Sequence, residues 1–292
     1  MAVTRREFVA AALAASQAPR AATARPALCL FSKHLPKLNY AELGAQVKKM
    51  GFDGVDLTVR PQGHVLPERA AEDMPRGIET LRSHNLSVPM ITTALTSATH
   101  PTAIPILSTA GRLKVPFFKL GYWNYRGKDI EKTVADVRRD VAGLVELGKE
   151  YGVAAGFHNH SGDNVGSPIW DTRAILAGLD PQWSGYYFDP CHATAEGGLG
   201  GWEIALRMAA PRTKMVAIKD FYWAREKAKW KMQMCPLGEG MVQWPKVFSM
   251  LAAARFSGPI SLHLEYDAAD EIAAIARDLD FLKKQVAAAY GG

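Results

Sequence analysis

The sequence predicts a single α/β domain folded as a (β/α)8 barrel, and three observations lead there. Strand-like runs alternate with helix-period segments eight times along the chain, the order that builds a parallel sheet. Residues 25–292 are close in number to the roughly 250 of a typical barrel of this kind. No shift in composition marks a linker. No GxGxxG follows the first strand, which counts against a doubly wound open sheet.

Residues 1–24 read as an address rather than as part of the fold. Thr4-Arg5-Arg6-Glu7-Phe8-Val9 precedes a short alanine-rich apolar stretch, 9–15, and Ala22-Thr23-Ala24 supplies the small-x-small pattern of a signal-peptidase site. The pattern resembles a twin-arginine signal, which implies export of the folded chain to the periplasm with any cofactor already in place. An ordinary amphipathic N-terminal helix is the alternative. The apolar stretch is too short to span a bilayer, and no membrane partner is expected.

Strand-like runs then occupy residues 27–31, 54–59, 87–93, 117–122, 153–160, 185–189, 215–221 and 259–266. Helical periodicity is clearest at Ile130, Val134, Val137, Val141, Leu144 and Val145, where apolar positions step by three and four residues. The closing helix repeats it at Ile272, Ile275, Leu279, Leu282 and Val286.

Composition narrows the function classes. With 48% hydrophobic and 22% charged residues, the chain suits a full-sized core and excludes disorder or a disulfide-stapled miniprotein. The net charge of +6 has no basic run behind it, since Lys227, Lys229 and Lys231 alternate with Ala228 and Trp230. Nucleic acid is therefore not an expected partner. Three cysteines, Cys29, Cys191 and Cys235, stand far apart without a CxxC, so neither a disulfide framework nor a zinc knuckle is expected.

Barrels of this kind carry their reactive groups at the carboxyl ends of the strands. The fifth run ends His158-Asn159-His160, the sixth Asp189-Pro190-Cys191-His192, the seventh Lys219-Asp220 and the eighth His263-Leu264-Glu265-Tyr266. Alternation along a strand sorts their directions. Ser261, His263 and Glu265 face the interior while Ile260, Leu262 and Leu264 face the helices; Gly156, His158 and His160 share an inward face, as do Ala217 and Lys219. Histidines, Asp189, Glu265 and Lys219 thus converge on one polar mouth. Mixed imidazole and carboxylate donors suit zinc, manganese, iron or cobalt better than calcium. The rival is a buried ion pair between Glu265 and Lys219.

Asp189-Pro-Cys-His192, Lys219-Asp220, Pro236-Leu237-Gly238-Glu239-Gly240 and Leu262-His263-Leu264-Glu265-Tyr266 resemble, in that order, the xylose-isomerase-like TIM barrels of the sugar phosphate isomerase/epimerase superfamily. The resemblance runs from Ala27 to the end of the chain. It implies a divalent ion, manganese or zinc, held by acidic and imidazole groups at four strand ends. Asp189 and Glu265 fit two of those positions. The other two depart, because His158-Asn159-His160 stands where Glu-Asn-His is usual and Ala217 where a histidine is usual. The ligand set expected here is His160, Asp189 and Glu265, with His158 turned to substrate and Asp163 a further donor in the next loop.

The resemblance implies a metal-assisted isomerase, epimerase or related lyase acting on an unphosphorylated sugar or keto-sugar. A proton next to a carbonyl is removed by Glu265, His192 or His160, and Lys219 stabilises the enediolate oxygen. Trp123 and Trp202, with His158 and His263, are the expected substrate contacts. Flat aromatic faces suit a sugar ring, although tryptophans also pack between helices and barrel. The alternatives are Schiff-base chemistry at Lys219 and a non-catalytic sugar-binding barrel. The expected partner is a small carbohydrate, and a homo-oligomer is left open.

Overall fold

The computed structural model describes residues 24–291, so the signal read in residues 1–24 lies, apart from Ala24, outside the described residues. Eight parallel strands close into a barrel: β1 (Leu28–Phe31), β2 (Gly54–Val59), β3 (Ser87–Thr93), β4 (Phe117–Lys119), β5 (Ala154–His158), β6 (Ser184–Phe188), β7 (Thr213–Ile218) and β10 (Ile260–Leu262). Round the ring they follow the order β1-β10-β7-β6-β5-β4-β3-β2. The chain is a single (β/α)8 barrel, as expected.

Helices α1 (Tyr40–Met50), α2 (Ala70–Ser83), α3 (Ala103–Arg112), α4 (Ile130–Tyr151), α5 (Trp170–Leu176), α6 (Pro190–Gly197), α7 (Gly201–Ala209), α8 (Trp244–Ala253) and α9 (Glu271–Tyr290) form the outer layer. Their ends are written in the sequence. Asn39 accepts from the backbone of Ala41 and Glu42 while the Glu42 carboxylate returns to Asn39, a capping box that starts α1. Asp129 and Asp270 cap α4 and α9 more simply, each side chain accepting from a backbone N–H, of Lys132 and Ala273 respectively.

Two apolar layers follow from strand alternation. Outward residues such as Val55, Leu57, Val59, Phe118, Phe157 and Ile218 join the helices in the main core. Inward residues Met90, Tyr187, Met215 and Ala217 form a separate plug inside the barrel. Gly156 is needed there, since a Cβ would run into Met215 and Tyr187. Above the plug lies a polar layer: buried Asp56 accepts hydrogen bonds from Thr92 at 2.8 Å, Ser261 at 2.8 Å and Tyr187 at 3.3 Å.

Several expected strands are shorter than the apolar pattern that marks them. The fourth stops at Lys119, the fifth at His158 and the eighth at Leu262. Beyond those points the chain turns out into mouth loops whose composition still looks strand-like. The seventh expected run, 215–221, spans two elements. β7 ends at Ile218, and Asp220 opens an antiparallel hairpin of β8 (Asp220–Glu226) and β9 (Lys229–Cys235). Its turn residues Lys227 and Ala228 both have positive φ, at 45° and 65°. The Asp220 carboxylate gathers both ends of this excursion, accepting from the backbone of Phe221, Gly238 and Val242 and from Trp244 Nε1 at 2.7 Å.

The three cysteines are free and buried. Among the described residues, no helix is long and apolar enough to cross a membrane.

Candidate active site

The polar mouth is organised by Asp189. Pro190 holds the first position of α6, where a missing N–H costs nothing. Asp189 caps the helix, its Oδ1 accepting from the His192 backbone at 3.1 Å. Asn159 locks the neighbouring strand end to it, accepting from Asp189 N at 2.8 Å and donating to Asp189 O at 3.0 Å. Oδ1 and the backbone being fixed, Oδ2 is left as the focus. Lys219 Nζ lies 2.9 Å from it, His158 Nε2 3.1 Å and His192 Nε2 3.7 Å.

The electrostatics follow. Burial opposes ionisation of Asp189, but the Lys219 ammonium and the two imidazoles outweigh it and hold the carboxyl well below the usual range. Burial likewise opposes the Lys219 charge, yet Asp189 prevails and raises its proton affinity, so Lys219 is a cation at neutral pH. Desolvation pushes His158 down to about 3 and lowers His160 and His192 too, leaving these rings neutral at pH 7.

The second nitrogens of the rings are also engaged. His158 Nδ1 lies 2.7 Å from the Tyr122 hydroxyl, and His192 Nδ1 lies 2.8 Å from Ser161 Oγ. His160 Nδ1 lies 3.0 Å from the Ser161 carbonyl and 3.2 Å from Asn164 Nδ2, so the protein engages this ring at Nδ1. Its ring sits 3.9 Å from that of His192.

His158, Asp189 and His192 each present a donor atom within 4.8 Å of the other two, and all three are buried. Their set fits a borderline divalent ion. Both Nδ1 atoms are held by hydroxyls, the outer support that ligating imidazoles need. The His192 Nε2 atom is buried without any hydrogen-bond partner.

This group shares only Asp189 with the expected set His160, Asp189 and Glu265. β5 ends at His158, so His160 leaves the alternation, and its ring is pinned by Ser161. Glu265 binds Lys33 Nζ through both oxygens at 3.2 Å and stands outside the cluster. The rival Glu265–Lys219 pair is not formed either, because Lys219 takes Asp189 and Glu265 takes Lys33. Asp163 is turned away to Arg126.

A cavity of about 340 Å³ opens above this cluster. His158, His160, His192, Lys219, His263 and Glu265 all line it. His263 is fastened into its wall, stacked on Phe31 at 4.5 Å and 3.2 Å from both Tyr187 OH and Ser261 Oγ.

The two expected tryptophans lie elsewhere. Trp123 stacks on outward-facing Phe157, and Trp202 is buried on the inner face of α7 beside Ala205 and Leu206. Phe31, Tyr122 and Tyr187 supply the aromatic surface instead. Arg60 and Lys119 also line the cavity without having been expected. Both sit at carboxyl ends of strands, where the alternation that found Lys219 also points them inward. Met232 and Met234 reach the cavity from the β8–β9 hairpin.

A family model described as xylose isomerase-like TIM barrel matches residues 44–285. Among solved structures, the chain is similar to the 3-keto-D-glucoside 4-epimerase of E. coli, with 14% identity over 89% of this chain and 100% of that one and a TM-score of 0.71. It is similar to the probable 3-DHS dehydratase involved in petrobactin synthesis from Bacillus anthracis, with 13% identity over 88% and 98% of the two chains and a TM-score of 0.70. It is also similar to a xylose isomerase-like protein from Mycobacterium smegmatis in complex with magnesium, with 15% identity over 92% and 98% and a TM-score of 0.67. Curated proteins include no match. On the family match, with the closed barrel and its mouth in agreement, the chain belongs to the xylose isomerase-like TIM barrels.

Proposed function

We propose that this protein is a sugar isomerase or epimerase, or a related lyase, that removes a proton next to the carbonyl of an unphosphorylated sugar or keto-sugar. The observation that carries the proposal is the meeting of neutral imidazoles, a protonated lysine and a carboxylate around one cavity at the carboxyl end of the barrel. Family membership supports it, as do the epimerase and the probable dehydratase among the similar structures.

The residues divide the work. His160 borders the cavity as a neutral imidazole held through Nδ1, so it serves as a general base. Glu265 borders the cavity from the loop after β10, a strand three places from β5 round the ring of eight, and is the second base. Proton removal by one and return by the other inverts a centre; return to the neighbouring carbon isomerises the sugar. Lys219, kept charged by Asp189, stabilises the oxygen on which negative charge develops.

His158, Asp189 and His192 would hold a divalent ion, manganese or zinc, which when bound polarises the substrate carbonyl as a Lewis acid. His192 then serves as ligand rather than base. A Schiff base at Lys219 fits less well, because an ammonium tied to Asp189 is a poor nucleophile. Export through the segment 1–24 would place this chemistry in the periplasm, on a small carbohydrate partner.

The test is proton exchange. Incubated in D2O with a panel of ketoses and 3-keto-glycosides, the protein should introduce deuterium next to the carbonyl of at least one. His160→Gln and Glu265→Gln should each slow that exchange by about 10²–10⁴-fold. Chelation should suppress it and added manganese or zinc restore it. Tight sugar binding with no exchange on any member would turn the reading towards a non-catalytic barrel.

A further inference from the structure

Four cationic side chains line the cavity: Lys33, Arg60, Lys119 and Lys219. Two have counter-ions in the protein. Lys219 is paired with Asp189 at 2.9 Å and Lys33 with Glu265 at 3.2 Å. Arg60 and Lys119 have neither an ion-pair partner nor a hydrogen-bond acceptor for their charged groups among the described residues. Arg60 Nε is buried with nothing to bond, and its guanidinium lies 5.5 Å from the Phe31 ring centroid. Lys119 is 3% exposed, and its Nζ rests 3.3 Å above the Tyr122 ring, a contact that offers π density but no acceptor oxygen. The nearest buried carboxylate on this side, Asp56, is committed to Thr92, Ser261 and Tyr187, and no ion pair joins it to Lys119.

Lys119 is an unanswered buried cation and Arg60 a partly buried one, a costly arrangement of the kind that gathers where a ligand completes a site. The two side chains come from adjacent regions of the wall, Arg60 following β2 and Lys119 ending β4, with β3 between them. Burial and the Arg60 charge together press the Lys119 ammonium towards its neutral form, a tension that an incoming anion would relieve.

We infer that Arg60 and Lys119 form a subsite for an anionic substituent on the substrate, so that the protein acts on an acidic sugar rather than a neutral one. Resting on the proposed function, the inference commits to a carboxylate, as in a uronic or keto-sugar acid; a phosphate ester offers the same oxyanion chemistry. Asp189 and Lys219 would then face the reacting carbonyl end, and Arg60 and Lys119 the charged end.

The experiment measures binding, not turnover, so that it can fail separately from the catalytic reading. Calorimetric affinities would be compared for D-galacturonate and D-glucuronate, the matching neutral aldoses, and the matching hexose 6-phosphates. The acids should bind about 10- to 100-fold more tightly than the neutral sugars. In Arg60→Met and Lys119→Met that ratio should fall towards one. A phosphate ester that exceeds both uronates and shows the same loss in the variants would keep the oxyanion subsite and overturn the carboxylate. Equal affinity for acid and neutral sugar, or no binding of any anion, would overturn the subsite itself. Deuterium exchange on neutral ketoses with no anion preference would leave the catalytic reading standing alone.

Discussion

The two sides of the barrel mouth treat charge differently. On the β5–β7 side every ionised group is answered: Asp189 receives Lys219, His158 and a helix N-terminus, and Asn159 clamps the backbone beneath. On the β2–β4 side Arg60 and Lys119 face the cavity without a carboxylate. The first side has its ionised groups balanced within the protein. The second is completed only from outside, which makes one side a fixed chemical device and the other a measure of what binds.

Stability measurements can break this contrast. The largest effect is expected from Asp189→Asn, which strands the Lys219 ammonium in a fully buried place. Urea denaturation should show a loss of about 3–5 kcal/mol. Asp189→Asn with Lys219→Met should recover much of it. A loss below about 1 kcal/mol would mean that the pair does not organise the mouth.

Asp56 comes next. Burial, only partly offset by its three hydroxyl donors, raises its carboxyl to about 6 from the usual 3.8. Between those values the folded chain holds a proton that the unfolded chain has released. Asp56 therefore favours folding at low pH, and this contribution is lost as pH rises through the folded value. Asp56→Asn should gain on the wild type by on the order of 3 kcal/mol between pH 4 and pH 7. Parallel stability curves over that range would show that the carboxyl is not perturbed.

The smallest effect has the opposite sign from the first. Lys119→Met removes a desolvated cation with no partner and should raise the unfolding free energy measured in urea by about 1–2 kcal/mol. Should Lys119→Met destabilise the chain instead, the β2–β4 side would be compensated after all, and the contrast would dissolve.

Much of this was legible in the sequence. Strands buried on both faces, such as Gly54–Val59, stand out as short β-rich runs between amphipathic helices. Strand-end position was enough to find Asp189 and His192, and alternation turned Lys219 inward. They did not pair them. Glu265 and Asp189 look equivalent along the chain, and only the packed structure sends one to Lys33 and the other to Lys219. His158 and His160 both reach the cavity, but β5 stops at His158, so alternation did not tell which of the two joins Asp189 and His192. Arg60 and Lys119 obeyed the same alternation but belong to residue types that do not hold metals, so a search for ligands passed over them. The hairpin escaped because Lys227-Ala228 carries none of the glycine or asparagine that usually marks so tight a turn.

That hairpin also bears on how selectivity can change. Its two strands begin and end at positions gathered by the Asp220 carboxylate, and it brings Met232 and Met234 over the cavity. Thioether side chains adapt readily to differently shaped neighbours. Exchanges along Lys229–Cys235 can therefore reshape the ceiling above a sugar while leaving the barrel strands and their reactive groups in register. The fold separates the tailoring of substrate shape from the upkeep of its chemistry.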